Sequence, residues 1–514
     1  MKLVTSAQMR EIDRETIENR GIPGPQLMEN AGRGIAEAIL TDLIAVPQES
    51  KVVVFCGKGN NGGDGYVIGR YLHEEGVQVA FYFIGPLDKL SPDAKLNFDR
   101  AAGLDIELNE VKQVSDLPSE LDANFIVDAV FGTGFEGEAK GLAGEIIEYM
   151  NLQDVEIISV DMPSGLNADT GQFEGPVVQA DYTFTLALPK YGLYISPGRE
   201  LSGTVATIPI GIPDNVVDMF SHGSELITPE MVSGGLPVRP PDAHKGIFGK
   251  LLILAGSTGL TGAATMTAEA ANRTGCGLTK VGCPASVQPV LATKLTEVMT
   301  VPFPDVAKKG VFALRGLGEI KKLIEQHDAV VIGPGMGTHH ETRDLVQRLV
   351  AQLEKPTIID ADGLNNLAGK TEILKNSPAP IVITPHPGEF ARLTGEAVPE
   401  DFHEKAALAR KTAADLGVTL VLKGSPTLVA DQSGVVYFNQ TGNSGMATGG
   451  SGDVLSGMIG SLLAQGMSTT GAAVIAVFLH GLAGDVAAEA LTERAMVAGD
   501  LIEFLPMAFQ VIGE

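Results

Sequence analysis

The sequence predicts an α/β protein built from two three-layer αβα domains, each with a parallel sheet between helices. The chain has 514 residues, and a single hydrophobic core stops growing at roughly 250–300 residues. Short β-branched runs followed by glycine-rich turns and helical stretches recur along it, which is typical of parallel strands joined by helices. No period relates the two halves, so we expect two different domains rather than a duplication.

The domain boundary is predicted from where the strand pattern stops and resumes. Strand-like segments run from KVVVFC to TVATIPI, which places the first domain at residues 1–217. Residues 218–240 contain the prolines and glycines of VSGGLPVRP, and we expect a linker and domain entry there, because this composition forbids a continuous helix or central strand. The pattern resumes at GKLLILAGS in a second domain, for which we expect bounds of 226–510.

The composition argues against several classes of function. A net charge of −26, from 37 basic and 63 acidic residues, disfavours nucleic-acid binding. Any phosphate must then bind locally, to backbone amides at turns and helix N-termini. Three cysteines make no even set and have no zinc spacing, which favours a reducing compartment. The N-terminus has no leader pattern and no apolar run reaches the ~20 residues of a membrane span, so we expect a cytoplasmic enzyme.

A glycine-rich turn follows the first strand. Residues 57–62 match the G-x-G-x-x-G pattern, but the next strand, VQVAFYFIG, has no acidic residue at its end to hold a ribose, so we do not expect a dehydrogenase. The longer turn over residues 59–65 opens a helix and offers several amides to an anion.

Two further strands of the first domain end in a carboxylate, Asp128 and Asp161. Either one alone is better explained as an Asx-turn or a helix cap. Together with the glycine-rich turn they predict a crevice at the sheet edge, in which Asp161 acts as a general acid or base. Asn61, Asp128 and Ser164 offer only hard oxygen ligands, which suit an alkali or alkaline-earth cation better than zinc.

The segments CGKGNNGGDGYVIGRYL, VDAVFGTGFEG and VDMPSGLNADTG resemble NAD(P)H-hydrate epimerase domains, which have a Rossmann-like fold, over most of residues 1–215. The resemblance implies K⁺ at Asn61, Asp128 and Ser164. Lys58 stands where many relatives have proline, outside the proposed ligand atoms. Substrate contacts are implied at Asn60, Asn61, Gly62, Gly63, Asp64, Gly132, Thr133, Gly134, Phe135, Glu136, Gly137, Glu138 and Asp161.

The second domain contains the segment TGGSGDVLSG at residues 448–457, before an apolar helical stretch. Glycines let the backbone approach a phosphate, and the helix start directs free N–H groups and its positive dipole end at it. Asp453 is then placed to orient or deprotonate a substrate hydroxyl. Taken alone, the segment is explained equally well as a flexible turn with an N-cap aspartate.

Other loops are expected at the same sheet edge. TPHPGE and GPGMG both follow apolar strands, and we assign His386 to binding rather than proton transfer. The segment KGSPT over residues 423–427 ends another strand and is a candidate nucleotide contact, although a plain strand-ending turn explains it nearly as well. Residues 369–371 read GKT but lack the spacing of a Walker A loop, so we expect a helix end there.

The segments TPHPGE, VLKGSPT and GNSGMATGGSGDVLSG resemble ADP-dependent NAD(P)H-hydrate dehydratases, a branch of the ribokinase-like fold, over residues 226–510. Ser444 stands where relatives often have proline. The resemblance implies contacts with the hydrate at Ala264, Gly335, His386 and Asp453. It implies nucleotide contacts at Lys423, Gly424, Ser425, Pro426, Thr427, Gly450, Ser451 and Gly452.

The two resemblances together predict a bifunctional repair enzyme. Its substrates are NADHX and NADPHX, in which water has added to C6 of the nicotinamide ring. The first domain interconverts the R and S epimers with Asp161, and the second uses Asp453, ADP and Mg²⁺ to convert the S epimer to NAD(P)H, releasing AMP and phosphate. The resemblance also implies a homo-oligomer, such as a tetramer, with no nucleic-acid or membrane partner.

Two other functions remain open from the sequence. The second domain is also compatible with a ribokinase-like kinase of a vitamin alcohol or sugar, with the first domain as a ligand sensor; a net phosphorylated product distinguishes this function. The other alternative is that the first domain is a non-catalytic binding module for protein or lipid. The presence of both Asp128 and Asp161 argues against this alternative.

Overall fold

The computed structural model describes residues 1–221 and 223–514. The chain divides into two compact units, an N-terminal unit over Met1–Ser224 and a C-terminal unit over Glu225–Glu514. Each unit has its own sheet and its own hydrophobic core, so each is described by itself.

The N-terminal unit contains a parallel sheet of seven strands in the order β3-β2-β1-β4-β5-β6-β7. The strands are β1 (Lys51–Cys56), β2 (Gln78–Ile84), β3 (Glu107–Val111), β4 (Phe125–Ala129), β5 (Glu156–Val160), β6 (Tyr182–Leu186) and β7 (Thr204–Ile208). The helices are α1 (Ser6–Asn19), α2 (Gly24–Asp42), α3 (Asn60–Glu74), α4 (Pro92–Ala102), α5 (Leu142–Asn151), α6 (Gly198–Leu201) and α7 (Asp214–Phe220).

Alternate side chains of the central strand β1 pack against the helices on opposite faces of the sheet. Val52 and Val54 of β1 belong to one core cluster, which also contains buried residues of α2 and α3. Val53 and Phe55 belong to the cluster on the other face, with buried residues of α5. Successive strand side chains point to opposite faces of a sheet, so both faces are covered and the unit has three layers. All parallel strands therefore end at one edge, where the candidate site lies.

The C-terminal unit is built on a sheet of ten strands in the order β11-β10-β9-β12-β13-β14-β15-β16-β17-β8. The strands from β11 to β15 are parallel, and β16 and β17 continue antiparallel. The bounds are β8 (Ser224–Leu226), β9 (Lys250–Leu254), β10 (Leu278–Pro284), β11 (Met299–Phe303), β12 (Ala329–Ile332), β13 (Thr357–Ile359), β14 (Ile381–Ile383), β15 (Thr419–Leu422), β16 (Leu428–Ala430) and β17 (Val436–Phe438). The predicted α/β class is confirmed.

Twelve α-helices surround this sheet in the described part of the chain. They are α8 (Pro229–Gly235), α9 (Thr261–Arg273), α10 (Gln288–Lys294), α11 (Leu317–Ile324), α12 (His340–Val350), α13 (Asp362–Asn365), α14 (Thr371–Lys375), α15 (Pro387–Thr394), α16 (Phe402–Leu416), α17 (Ser451–Ala464), α18 (Thr469–Leu491) and α19 (Ala498–Val511). Helices α9, α17, α18 and α19 pack against one another and form much of the core on one side.

Helix α18 is long and apolar enough to cross a membrane by length and mean hydropathy, although no uninterrupted apolar run of about 20 residues was expected in the sequence. It has 23 residues, and its most apolar window has a mean hydropathy of 1.7. However, 72% of that window is buried inside the fold, and the helix packs between α17 and α19. Its apolar character is therefore that of a core helix.

Two local expectations differ from the structure. Residues 218–240, expected as a linker, contain the end of α7, strand β8 and helix α8. Pro229 begins α8 rather than preventing it, because proline suits the first helical position and Thr228 Oγ1 caps the helix by accepting from Met231 N at 3.3 Å. Residues 369–371 precede and open α14, so they mark a helix start and not a helix end.

Candidate active sites

The glycine-rich turn of the N-terminal unit packs the connection between β1 and α3 against the loop after β4. The first strand leads through Gly57 into α3, which begins at Asn60. A Cβ atom on Gly57 would lie 2.1 Å from the carbonyl oxygen of Val130, and one on Gly62 would lie 1.9 Å from the carbonyl oxygen of Gly57. Only glycine permits these approaches, so this part of the motif is explained by close packing of the turn against the loop after β4.

A cavity of about 700 Å³ opens at this sheet edge. Its wall combines apolar side chains of α1 and α2 with polar groups from the strand ends. Nine of the predicted residues line it: Asn60, Asn61, Asp64, Gly132, Thr133, Gly134, Phe135, Glu136 and Asp161. The predicted contacts Gly62, Gly63, Gly137 and Glu138 do not line it, nor do Asp128 and Ser164.

Asp161 is held in a defined orientation at the end of β5. Its Oδ1 atom lies 2.5 Å from Nζ of Lys190, and its Oδ2 atom accepts from the backbone N–H of Thr133 at 3.0 Å and from the Thr133 hydroxyl. Its φ of 67° lies in the left-handed region that costs a non-glycine residue conformational energy. Burial acts to raise the pKa of Asp161, but the Lys190 ammonium and these hydrogen bonds outweigh it and hold that pKa below its ordinary value.

Lys190 is a functional candidate that sequence reasoning missed. Its side chain is only 1% exposed, and Nζ also donates to the hydroxyl of Thr185 at 3.0 Å and to the carbonyl oxygen of Leu186 at 2.7 Å. A buried ammonium requires such partners. The available signal was its position four residues after the end of β6, at the same edge of the sheet as Asp161.

Two more carboxyl groups line the same cavity. Burial raises the pKa of Asp13 to about 6, with the Lys190 charge acting against burial and the Asp161 charge adding to it. Burial also raises the pKa of Asp64, with the charges of Asp161 and Asp13 adding to the effect. The cavity therefore contains carboxyl groups with very different proton affinities.

The predicted cation ligands lie next to the cavity. Asp128 is fully buried, and its oxygens accept from Ser164 N at 2.8 Å, Ser164 Oγ at 2.6 Å and Ser159 Oγ at 2.9 Å. Burial raises the pKa of Asp128 against these hydrogen bonds. Asn61 Nδ2 is buried and has no hydrogen-bond partner within residues 1–221 and 223–514. A buried carboxylate beside neutral oxygen donors fits a monovalent cation.

In the C-terminal unit, α17 begins one residue after a left-handed glycine. Gly450 has φ of 104° and precedes the first helical residue, Ser451. Asp453 therefore lies in the first turn, as predicted, where the helix N-terminus presents free N–H groups. Burial, followed by the charge of Asp360, raises the pKa of Asp453 to about 7. This is the range expected of a general base that works near neutral pH.

Lys423 lies within an acidic cluster beside Asp453. Its Nζ atom is 3.1 Å from Oδ1 of Asp360 and 3.7 Å from Oε2 of Glu389. Burial acts to lower the pKa of Lys423, but these two carboxylates outweigh it and raise the pKa. The other oxygen of Asp360 accepts from the hydroxyl of Ser456 on α17 at 2.7 Å. Asp360 thus links the loop after β15 to the helix that carries Asp453.

The remaining predicted residues of this unit fall in three settings. His386 caps α15, its Nδ1 accepting from Gly388 N at 3.0 Å, and its side chain is half exposed. Gly335 has φ of 62° and its carbonyl oxygen accepts from Ser257 Oγ at 2.7 Å. Ala264 is fully buried within α9, so its contact with a substrate stays a prediction.

The loop over residues 423–427 is closed by its own hydrogen bonds. Gly424 N donates to Thr427 Oγ1 at 3.3 Å, and Thr427 Oγ1 donates to Gly424 O at 2.8 Å. The loop thus presents Lys423 from a compact turn rather than from a flexible segment.

Asp360 and Ser456 were missed in the sequence, and Glu389 was noted only as part of TPHPGE. Asp360 follows β13 directly, so the rule that selected Asp128 and Asp161 also applies to it. A Cβ on Gly333, after the neighbouring β12, would lie 1.8 Å from the carbonyl oxygen of Asp360, and this packing explains the first glycine of GPGMG. Ser456 carries no such signal, because a serine inside an apolar helix is common.

Both units carry polar groups, including buried aspartates, at the carboxyl ends of their parallel strands. The C-terminal unit also has a helix N-terminus, at the start of α17, that suits a phosphate. These features define a two-domain α/β enzyme that acts on small molecules. A family model described as NAD(P)H-hydrate dehydratase matches residues 251–507, and one described as YjeF-related protein N-terminus matches residues 24–192.

Relatives match the chain over its whole length. It is 40% identical over 518 residues to the bifunctional NAD(P)H-hydrate repair enzyme Nnr of Moorella thermoacetica, covering 100% of this chain and 98% of that protein. The Nnr enzyme of Thermofilum pendens is 38% identical, with 100% and 97% covered. An ADP/ATP-dependent NAD(P)H-hydrate dehydratase from Bacillus subtilis, co-crystallised with ATP and Mg²⁺, is 32% identical with a TM-score of 0.48, covering 56% of this chain and 98% of that one.

The chain therefore belongs to the family of bifunctional NAD(P)H-hydrate repair enzymes. It combines an epimerase with an NAD(P)H-hydrate dehydratase, which confirms the predicted bifunctional repair of hydrated cofactors. The alternatives of a small-molecule kinase and of a non-catalytic first domain are set aside by the same matches.

Proposed function

We propose that the N-terminal unit interconverts the R and S hydrates at Asp161, and that the C-terminal unit dehydrates the S epimer at Asp453 with ADP as phosphoryl donor. The observation that carries the second assignment is the position of Asp453. It lies in the first turn of α17, and its pKa of about 7 allows it to take up a proton near neutral pH.

The chemistry requires activation of the hydroxyl group on C6, because hydroxide is a poor leaving group and phosphate a good one. Asp453 accepts the hydroxyl proton as the oxygen attacks the β-phosphorus of ADP, and the bond to the AMP oxygen breaks. Backbone N–H groups of Gly450, Ser451 and Gly452 stabilise the negative charge of the transferred group. The lone pair on the ring nitrogen then expels phosphate, and loss of a C5 proton restores the double bond of NAD(P)H.

Lys423 is proposed to contact the nucleotide phosphates, together with the rest of the loop over residues 423–427. Its raised pKa keeps it charged, and Asp360 and Glu389 fix its position. His386 and Gly335, each at a loop after a parallel strand, are proposed to contact the hydrate. Ala264, which is fully buried, would make such a contact only if neighbouring atoms moved.

Mg²⁺ is proposed to enter with the nucleotide. The residues that the structure describes include no group of three or more His, Cys, Asp or Glu side chains placed to hold a metal. Mg²⁺ commonly keeps several waters and binds through substrate phosphates with one or two carboxylates. This mode of binding fits the few carboxylates near Asp453.

K⁺ is proposed to bind in the N-terminal unit through Asn61, Asp128 and Ser164. When bound, it would balance the charge of the buried Asp128 and hold the loops that present Thr133 and Asp161. The residues that act on the substrate are the chain's own: Asp161 exchanges a proton, and Asn60, Asp64 and residues 132–136 of the cavity wall position the ring. Gly62, Gly63, Gly137 and Glu138 are proposed to support that wall from outside the cavity.

We also propose that the protein works in the cytoplasm as a homo-oligomer such as a tetramer, on NADHX, NADPHX and ADP alone. Its three cysteines are free thiols, which suits a reducing compartment. Light scattering of the purified full chain tests the assembly.

The function is tested by incubating the full chain with purified S-hydrate, with and without ADP. Recovery of dihydronicotinamide absorbance that requires ADP and releases AMP and phosphate is expected. Accumulation of a phosphorylated product without recovery would instead identify a kinase.

A further inference from the structure

Epimerisation at C6 makes a demand that one carboxylate does not meet. If the hydroxyl leaves C6 as water, a second water must attack the same carbon from the opposite face to give the other epimer. A proton is therefore donated on one face and accepted on the other, in both directions of the reaction. A cavity built for this step needs two groups that exchange protons, and they must reach the ring from different sides.

Helix α1 brings a second carboxyl group to the cavity from outside the sheet. Asp13 lines the cavity with Asp161 and Lys190, although it lies far from both in the sequence. The start of α1 is fixed to the segment that carries Lys190, since Val4 forms a parallel bridge with Lys190 and Val4 N donates to Pro189 O at 3.1 Å. This anchoring sets the position of Asp13 further along α1.

The same helix start is fixed on another side. Ser6 donates to Asp169 through its backbone N–H at 2.5 Å and its hydroxyl at 2.9 Å. Thr5 and Gln8 form a capping box at the first turn of α1. Two other segments, those that carry Lys190 and Asp169, thus anchor the start of α1.

We propose that Asp13 is the second proton-transferring group of the epimerase and acts on the face of the ring opposite to Asp161. This inference rests on the proposed role of Asp161. It adds α1, which is not part of either glycine-rich motif, to the catalytic machinery.

The reaction is balanced by these two groups and water. In one direction the Asp13 carboxyl group donates its proton to the C6 hydroxyl, the C6–O bond breaks to release water, and the ring nitrogen lone pair forms a C6=N1 iminium bond. Water attacks C6 from the other face, its oxygen forms the new C6–O bond, and the C6=N1 electron pair returns to nitrogen. Asp161 accepts the proton lost by that water, and the reverse reaction exchanges the two roles.

The surroundings of the two carboxyl groups set them in complementary states. Lys190 keeps Asp161 ionised, whereas burial raises the pKa of Asp13 to about 6, so that Asp13 holds a proton more readily. A pair of groups whose pKa values are driven apart is the usual arrangement of an acid with a base. The other charged groups that line the cavity are Arg10, Lys58, Asp64, Asp93 and Glu136.

Asp64 is the alternative candidate, because it also lines the cavity and burial raises its pKa well above the ordinary value. It lies on α3, three residues after the proposed K⁺ ligand Asn61, whereas Asp13 lies on α1. Variants of both residues therefore separate the two assignments.

The test uses the full chain with Asp13→Asn, Asp64→Asn and Asp161→Asn, and measures epimerisation of the purified R and S hydrates in both directions. Glu18→Gln on the exposed side of α1 is the matched control. Asp13→Asn is expected to lower epimerisation at least about 100-fold, as is typical of lost acid–base catalysis, with an unchanged melting temperature and full dehydratase activity. The proposal is overturned if the Asp13→Asn variant epimerises the hydrates as fast as the Glu18→Gln control. If the Asp161→Asn variant is inactive in that same assay, the proposed site at Asp161 still stands.

Two measurements on the unchanged protein keep the proposal testable if a variant fails to fold. Epimerisation in ¹⁸O-labelled water is expected to place one labelled oxygen on C6 in each turnover, and retention of the original oxygen rules out the water-loss step and the proposal. The epimerase kcat/KM is expected to fall as pH rises above about 6, where Asp13 loses its proton. A rate that is constant from about pH 5.5 to about pH 8 contradicts it.

Discussion

Nζ of Lys190 lies 2.5 Å from Oδ1 of Asp161, and both side chains are buried where they line the cavity of the N-terminal unit. A buried ammonium and a buried carboxylate each carry a desolvation cost, which here the other offsets together with the hydrogen bonds to Thr133, Thr185 and Leu186. The pair therefore favours the ionised form of Asp161 and holds its side chain in one orientation in the cavity.

Lys190→Met is predicted to damage both stability and epimerisation. Removing one partner of a buried ion pair leaves an uncompensated charge, so the free energy of unfolding should fall by about 3 kcal/mol. The pKa of Asp161 should rise, because its largest stabilising charge is lost, and the acid limb of the epimerase pH profile should move to higher pH. The double variant with Asp161→Asn should recover stability in chemical denaturation but not activity. Recovery of activity would contradict the account.

Asp453→Asn is predicted to abolish dehydration while epimerisation continues. The amide introduced by this substitution could neither accept the hydroxyl proton nor carry the charge that orients it, so a loss of at least about 100-fold is expected. Dihydronicotinamide absorbance and epimer ratios by chromatography measure the two activities in one sample. Asp161→Ala is the matched control, since it should lose epimerisation and keep dehydration.

The rate of dehydration should depend on pH through the ionisation of Asp453. A base must be ionised to act, and burial places the pKa of Asp453 at about 7. The kcat/KM for S-hydrate should then be lost by about tenfold per pH unit below that value and level off above it, because kcat/KM reports the free enzyme. A profile that is flat between about pH 5.5 and about pH 8 would show that another group is the base.

Asp360→Asn is predicted to alter nucleotide binding and the proton affinity of Asp453. Loss of the 3.1 Å contact to Lys423 should raise the KM for ADP. Because the charge of Asp360 raises the pKa of Asp453, its removal should shift the acid limb of the dehydratase profile to lower pH. Asp415→Asn, on the exposed side of α16, is the control. A change in stability without a shift of the limb would indicate a purely structural role.

Removal of K⁺ is predicted to affect only the N-terminal unit. A ligand that binds the folded state raises its stability, so replacing K⁺ by tetramethylammonium should lower both the epimerase rate and the melting temperature of that unit. Dehydration should be unchanged. In Asp128→Asn, K⁺ should no longer raise the melting temperature; a K⁺ effect of undiminished size in this variant would place the cation elsewhere.

The residues that sequence reasoning found share one property. Asp128 lies near the end of β4, Asp161 directly follows β5, and Asp453 lies in the first turn of α17. The geometry of a parallel sheet places the ends of its strands, and the helix starts that follow them, at one edge. Gly450 follows from the need for backbone to approach a phosphate. These positions are encoded locally, so a single sequence reveals them.

The residues that it missed depend on contacts between distant segments. Lys190 lies in the loop after β6, and its position near the end of that strand was the one signal for it. Asp13 lies on an N-terminal helix, and nothing near it in the sequence indicates that it reaches the cavity of Asp161. The expected linker over residues 218–240 contains α8, which ends at Gly235, before Pro237 and Pro240. A segment rich in glycine and proline can thus follow directly on a short helix, and composition alone does not reveal that helix.

In the proposed mechanism the start of α17 activates the hydrate hydroxyl for phosphoryl transfer from ADP. ³¹P NMR and ring absorbance, recorded together while the full chain and its Asp453→Asn variant act on S-hydrate with ADP, test this step. The unchanged chain is expected to yield AMP, phosphate and dihydronicotinamide in equal amounts, and the variant none of them. Dihydronicotinamide formed without consumption of ADP, or formed equally by the variant, would contradict it.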